Sequence, residues 1–312
     1  MTKLVSIVIS TWNRSALLSR TLESITKLQC PSGVDWECVV VNNASTDDTD
    51  AIVERFAQGG RIRSIYWPTP GLAGARNAGV REAKGDFILI TDDDVLVDQA
   101  WLTEAVHIKD EHNADLVYGR IEPDWESGPP RWYSPLLAGT FGILDHGDKA
   151  GVTATGCGAG ANHGFTSSAF QRLGGYNSSF GLDQNGLGGS EDEDLFQRAH
   201  RAGMVVAYQP NSRVSHFIPA SRCSKQYLIE RFRRGAASHF ELLKNQRGGP
   251  TVAGIPRYFL RNQLFVGRRW LFSLSTGKQG DAFFYELRLR RFWQILRLAI
   301  DPANRSTHKS RA

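Results

Sequence analysis

The sequence predicts an α/β fold: a mixed, mostly parallel sheet flanked by helices, with a helical C-terminal extension. Three observations carry this. Short apolar, β-branched runs recur at residues 4–10, 38–41, 62–67 and 87–90. Segments of helical period separate them, and that alternation puts parallel strands between two helix layers. From Lys225 onward the alternation stops, and the chain turns Arg-rich, aromatic and helical in period.

The elements follow in order. Residues 4–10 form a buried strand, and Thr11, Trp12, Asn13 and Arg14 a loop. Ser15 is placed to cap a helix whose Leu18, Leu22 and Ile25 share one face. Residues 38–41 form a second strand that ends at Asn42 and Asn43. Ser45 and Asp48 have capping-box spacing ahead of a helix with Ile52, Val53 and Phe56. Residues 62–67 are a third strand, 71–74 a flexible turn, and 75–83 a helix. Gly85 returns the chain to the strand that begins at Phe87. Further on come a helix at 99–112, a strand at 116–121, a helix at 167–173 with a turn at Gly174 and Gly175, and a helix from Glu191 to about Ala202. A last strand at 205–208 leads to His216. Between Glu122 and Ala150 the pattern fades into a long Pro- and aromatic-bearing loop. Residues 156–162 are glycine-dense but lack the Lys-Ser/Thr close of a P-loop.

Composition bounds the function. The 312 residues are 41% hydrophobic and 22% charged, ordinary for a globular protein with a sizeable core. The net charge of +5 suits anionic ligands. Four scattered cysteines make neither a zinc site nor a disulfide framework, which fits a reducing cytosol. No signal peptide is read at the start, and no charge-free run of about 18 apolar residues spans a membrane. The Arg-rich C-terminal helices either lie on an anionic membrane surface or pack on the sheet and face water. No nucleic-acid module is recognised.

The strand from Phe87 stops at three carboxylates: Asp92, Asp93 and Asp94. Buried charge needs an opposite charge beside it. One reading is a hard divalent cation, Mg²⁺ or Mn²⁺, holding substrate phosphates at the carboxyl end of the strand. The other is a solvated acidic turn facing the next helix's N-terminus. A second acidic cluster, Glu191, Asp192, Glu193 and Asp194, lies about a hundred residues further on, at a helix start.

The ordered set of motifs resembles the family 2 glycosyltransferases of the GT-A fold. Residues 8–14, 41–47 and 75–79 carry it, with the Asp92–Asp93–Asp94 triplet (a DXD motif), Gly174–Gly175–Tyr176 and Glu191–Asp192–Glu193–Asp194. The resemblance covers roughly residues 4–217. It implies a Rossmann-like domain over 1–220, with a nucleotide-binding half at about 1–121 and an acceptor half at about 122–220. Residues 221–301 are then a basic amphipathic helical extension, and 302–312 a disordered tail. It implies inverting transfer of a sugar from a nucleotide diphosphate to an acceptor hydroxyl, with Mn²⁺ or Mg²⁺, in cell-surface polysaccharide or glycan synthesis.

It also implies residue roles. Ser10, Thr11 and Asn13 meet the nucleotide at the end of the first strand, and Asn43 reads the base. The family often has an acidic residue at this pair, where this chain has Asn42 and Asn43. Arg76 faces the base or diphosphate. Asp92 serves ribose or metal, Asp93 points elsewhere or touches the ribose, Asp94 binds the metal, and His216 is a metal or diphosphate ligand, with a structural role as the alternative. Asp192 is the base with Glu191 beside it. Asn162, His163 and Trp132 border donor sugar and acceptor; for Trp132 a place in an aromatic core is the alternative. The implied partners are a UDP- or dTDP-sugar, a glycan or lipid-linked acceptor, and a membrane surface met peripherally by the C-terminal helices. The implied location is the cytoplasm or the inner face of its membrane. A nucleotidyltransferase and an inactive nucleotide-sugar-binding protein of the same fold are the alternatives.

Overall fold

The computed structural model describes residues 3–182, 188–245, 250–252 and 255–301. The expected disordered tail, 302–312, lies outside them. Strands in chain order are β1 (Lys3–Thr11), β2 (Val34–Asn42), β3 (Ile62–Tyr66), β4 (Phe87–Asp92), β5 (Val95–Val97), β6 (Leu116–Trp125), β7 (Gly151–Val152), β8 (His163–Thr166), β9 (Gly181–Leu182), β10 (Gly188–Gly189), β11 (Val206–Ile218), β12 (Thr251–Val252) and β13 (Ile255–Pro256). Helices are α1 (Ser15–Ile25), α2 (Thr49–Phe56), α3 (Leu72–Glu82), α4 (Trp101–His112), α5 (Ser167–Leu173), α6 (Glu191–Arg201), α7 (Lys225–Arg234), α8 (Ala236–Asn245), α9 (Arg257–Ser275) and α10 (Gln279–Ile300).

The described residues fall into two compact units. The first takes the described residues within 1–124, 142–185 and 191–218, the second those within 125–141, 186–190 and 219–312. The stretch 122–150, left unplaced by its sequence, is divided between them. It holds the end of β6 and a 3-10 segment, Pro135–Phe141.

The first unit is a mixed sheet of order β3-β2-β1-β4-β8-β6-β11-β5, with β7 beside β11. β1 to β4 pair in parallel, whereas β8 is antiparallel to β4 and to β6. Side chains alternate across the strands, so neighbouring residues serve opposite cores. Ile7, Ile9, Cys38 and Val40 pack with Leu18, Leu22, Trp101 and Leu102 of α1 and α4. Val8, Val39 and Val41 pack with Ala75, Phe170, Leu195 and Phe196 of α3, α5 and α6. Gly79 lets α3 close on the sheet: a Cβ there would come 2.4 Å from Val8 Cγ1. That approach carries Arg76, one turn earlier, over the carboxyl ends of the strands.

Several element ends differ from expectation. Ser15 does not cap α1; it is the first helical residue, and its N–H donates to Asp47 Oδ2 at 2.9 Å. Ser45 and Asp48 form no capping box. α2 starts at Thr49, whose N–H and hydroxyl both donate to Asp47 Oδ1. α3 begins at Leu72 instead of Ala75, because Gly71 takes the sharp turn alone at φ 134°. The last strand runs on through Pro210 to Ile218, and Ser212, Val214, His216 and Ile218 alternate as buried residues.

The second unit gathers the helices α7 to α10. Phe240, Leu243, Ile255, Ile295 and Ala299 form its core, with Phe259 and Leu260 of α9 packed on it. Among the described residues no helix is long and apolar enough to cross a membrane.

Candidate functional site

The parallel register sets Ser10 beside Asp92 and Thr11 beside Asn42, so the polar ends of β1, β2 and β4 meet at one edge of the sheet. Parallel sheets put ligands at this edge. Loop hydrogen bonds fix it. Asn13 Oδ1 accepts from the Thr46 N–H at 2.7 Å, and the Asn13 N–H donates to Ser45 Oγ at 3.0 Å. Asn43 is fully engaged: its amide donates to the carbonyls of Trp67 and Thr69, and its oxygen accepts from the Gly71 N–H. Ser10 Oγ is buried and has no partner among the described residues.

The two acidic clusters meet at Arg76. The resemblance turns this arginine to a base or diphosphate; here the guanidinium is instead 1% exposed. Nη2 donates to Asp92 Oδ1 at 2.8 Å. Nη1 donates to Glu191 Oε1 at 3.0 Å and Asp192 Oδ1 at 2.9 Å. Three carboxylates from β4 and α6 thus converge on one cation. Removing Glu191 from water costs several kcal/mol, and Asp192 and Asp92, whose side chains stay 16% and 29% exposed, cost less. Burial of Leu195 and Phe196, each worth about 1.5–3 kcal/mol, anchors α6 and offsets part of that cost.

This environment separates the carboxyl groups. Burial pushes Glu191 up to about 7, with Asp192 repulsion adding to it. Burial pushes Asp192 up to about 6 against the pull of Arg76. Burial also acts to raise Asp92, but its charge interaction and hydrogen bond with Arg76 prevail and hold it below the usual range. Glu191 Oε2 and Arg76 Nε are buried without partners among the described residues. Gly160 closes the cluster, since a Cβ there would lie 2.5 Å from Arg76 Nη2 and 3.0 Å from Asp192 Oδ2.

His163 forms the wall. Its Nδ1 lies 3.0 Å from the Ala159 carbonyl oxygen, which only accepts, so Nδ1 carries the proton. Burial and the charge of Arg76 lower its pKa to about 3, so the ring is neutral. Nε2 therefore accepts from the Tyr176 hydroxyl at 2.5 Å, and it lies 3.9 Å from Asp192 Oδ1. Asn77 fixes Tyr176 by bonding both its N–H and its carbonyl.

The rest of the triplet has a second guanidinium. Arg14 Nη1 donates to Asp93 Oδ1 at 3.0 Å and Asp94 Oδ2 at 2.9 Å. Asp93 is turned inward, accepts from Thr11 Oγ1 at 2.7 Å, and burial raises it to about 7. His216 Nε2 lies 3.6 Å from Asp94 Oδ1. Among the described residues no three His, Cys, Asp or Glu side chains are grouped to hold a metal. Asp94 and His216 do converge, and an imidazole with one or two carboxylates suits an ion whose remaining ligands are phosphates and water.

The structure thus brings together Arg76, Asp92, Glu191, Asp192 and His163, with Asp93, Asp94 and His216 alongside. It does not bring Asn162 into the open. That amide is buried, accepting from Trp101 Nε1 and donating to the Arg120 and Ser212 carbonyls. Trp132 belongs to the second unit, edge-on to Phe283 at 5.1 Å. Sequence reasoning missed Arg14 and Tyr176 as parts of the site. The signal for Arg14 was a lone cation at the end of the strand next to β4.

The fold is that of the GT-A glycosyltransferases. A mannosyltransferase, PcManGT from Pyrobaculum calidifontis in complex with GDP-Man and Mn²⁺, is similar over 93% of this chain and 87% of its own, with a TM-score of 0.63 at 20% identity. The chain belongs to glycosyl transferase family 2, whose model matches residues 6–174. The succinoglycan biosynthesis protein ExoM of Rhizobium meliloti is 27% identical over 249 residues, 78% of this chain and 77% of that one. The poly(ribitol-phosphate) beta-N-acetylglucosaminyltransferase TarS of Staphylococcus aureus is 29% identical over 114 residues, 36% of this chain and 20% of its own length.

Proposed function

We propose that this enzyme transfers a sugar, with inversion, from a nucleotide-diphosphate sugar to an acceptor hydroxyl in cell-surface polysaccharide synthesis. The observation that carries the proposal is the convergence of Asp92 with Glu191 and Asp192 on the buried Arg76. Inverting transfer needs a base on the acceptor side of the sugar and a diphosphate site on the other. Asp192 is the base. With its pKa raised to about 6 it is ionised at neutral pH and more proton-avid than an ordinary aspartate. It takes the proton from the acceptor hydroxyl while that oxygen bonds to the anomeric carbon. The bond from that carbon to the diphosphate breaks, and the electron pair leaves with the diphosphate. Arg76 fixes the Asp192 oxygen that faces it, and Glu191 keeps the acceptor edge of the cluster polar.

Asp94 and His216 would hold Mn²⁺ or Mg²⁺. Such an ion, when bound, neutralises charge on the leaving diphosphate. Ser10, Thr11 and Asn13 border the nucleotide, and a UDP- or dTDP-sugar is the favoured donor. The acceptor is a glycan or a lipid-linked glycan, met in the cytoplasm or at the inner membrane face. The names of ExoM and TarS support a polysaccharide product.

A thermal-shift panel of UDP, dTDP, GDP and CDP, each with and without Mn²⁺, tests this, since a ligand that binds only the folded state raises its melting temperature. The expected result is a metal-dependent rise with one diphosphate. A folded protein that responds to none of them overturns the reading.

A further inference from the structure

The second unit carries a face that transfer chemistry does not use. α9 has no Asp or Glu over its 19 residues. Three of its rows repeat at seven-residue spacing, and all six side chains are exposed. Arg261 and Arg268 form the middle row. Leu264 and Leu271, 74% and 61% exposed, flank it on one side. Phe265 and Phe272, 55% and 53% exposed, flank it on the other. At 100° per residue the outer rows lie within about 60° of the arginines. The opposite side of the helix is satisfied: Val266 and Ser273 are buried, and Phe259 and Leu260 pack on the core of the unit. Among the described residues neither Arg261 nor Arg268 has a carboxylate partner.

We propose that this face of α9 docks on an anionic lipid bilayer, with Leu264, Leu271, Phe265 and Phe272 entering the interface and Arg261 and Arg268 meeting lipid phosphates. The charge pattern selects the occupant. A second copy would set the arginine row against its own counterpart with no acid in the helix to answer it. An acidic protein surface would answer the arginines but leave four large apolar side chains to be matched. A bilayer of acidic lipids supplies both, phosphates at the headgroup level and acyl chains about 5–10 Å below. The surface is also continuous over about 17 Å of helix, from Arg261 to Phe272, and a fluid bilayer meets that length without a preformed groove.

The test uses the full chain in vesicle flotation, with phosphatidylcholine alone and with about 30% phosphatidylglycerol, at about 0.1 M salt. The wild type is expected to bind the phosphatidylglycerol vesicles at least about ten-fold more tightly, since each surface arginine contributes roughly five-fold. Arg261→Gln with Arg268→Gln should remove most of that preference. Leu264→Ser with Phe272→Ser should weaken binding to both vesicles, including in high salt. Absence of vesicle binding by the folded protein overturns the proposal, as does equal binding by wild type and variants. So does a concentration-dependent dimer in light scattering that Phe272→Ser abolishes, or retention on an oligonucleotide that excludes vesicles. Flotation needs neither donor nor acceptor, so its failure leaves the transferase reading standing, and the converse also holds.

Discussion

Arg76 and the arginines of α9 carry the same group in opposite surroundings. Arg76 is 1% exposed, and oxygens of three carboxylates lie within 3.0 Å of it. Arg261 and Arg268 are exposed on a helix without a single acid. A guanidinium is stable in the interior only where carboxylates answer it, so its burial marks the place where the fold holds carboxylates in fixed positions. An exposed row without acids has no such internal use, and its charge remains for something outside the chain. Substitution at Arg76 should therefore disturb folding and chemistry together, and substitution on α9 neither.

The largest effect should come from Arg76→Met. Asp92, Glu191 and Asp192 would lose their counter-charge, and unfolding free energy in urea should fall by about 3–5 kcal/mol. A fall under about 1 kcal/mol would mean that the cluster does not depend on its cation. Arg76→Lys keeps the charge but not the fork, and it should fall in between.

The pH dependence sharpens the same contrast. Asp192 is raised above its ordinary 3.8, so the native state holds this proton more tightly than the unfolded chain. Its stabilising contribution is complete below about pH 4 and is lost as pH rises through about 6. The neutral, depressed His163 works the other way over much of this range, so the measurable quantity is a difference. Wild type should lose stability relative to Asp192→Asn between about pH 4 and 6. Transfer by wild type should rise over the same interval and level off above about pH 7, as the coupled carboxyls of Asp192 and Glu191 ionise. A rate that is flat from pH 5 to 8 would contradict this.

Tyr176→Phe removes the donor to His163 Nε2 and strands a buried acceptor, an expected cost of about 1–3 kcal/mol in urea denaturation. The smallest effect belongs to α9. Leu264→Ser with Phe272→Ser should change stability by less than about 0.5 kcal/mol and leave transfer to a soluble acceptor unchanged. A larger change would mean that this face packs inside the protein.

Much of this was legible in the sequence, and for identifiable reasons. The β-branched runs of β1, β2 and β4 are buried on both faces and carry a local signal, so the parallel half of the sheet could be read directly. The two acidic clusters were visible as clusters. Their meeting was not, because the residue that joins them sits on a separate helix and looks like any surface arginine in its local pattern. The start of α1 was misread for the same reason, since Ser15 bonds Asp47, 32 residues away, whereas at α2 the local signal was there but belonged to Asp47 and not to Ser45 or Asp48. The strand expected at 205–208 fell short of the end of β11 at Ile218, because the β5 pairing that carries it on is made by residues distant in sequence. Residues 122–150 gave no period because they contain the end of one strand, a 3-10 segment and an aromatic cluster.

The central claim is that Asp192 is the base and that the nucleotide is held elsewhere. Asp192→Asn keeps the size and one hydrogen-bonding oxygen of the side chain but cannot take the acceptor's proton. The measurement is the transfer rate of this variant beside its affinity for the nucleoside diphosphate with Mn²⁺, by calorimetry on the same preparation. The account predicts a rate about 10²- to 10⁴-fold lower with affinity within about two-fold of wild type. Transfer at the wild-type rate, or loss of nucleotide binding in parallel with activity, would contradict it.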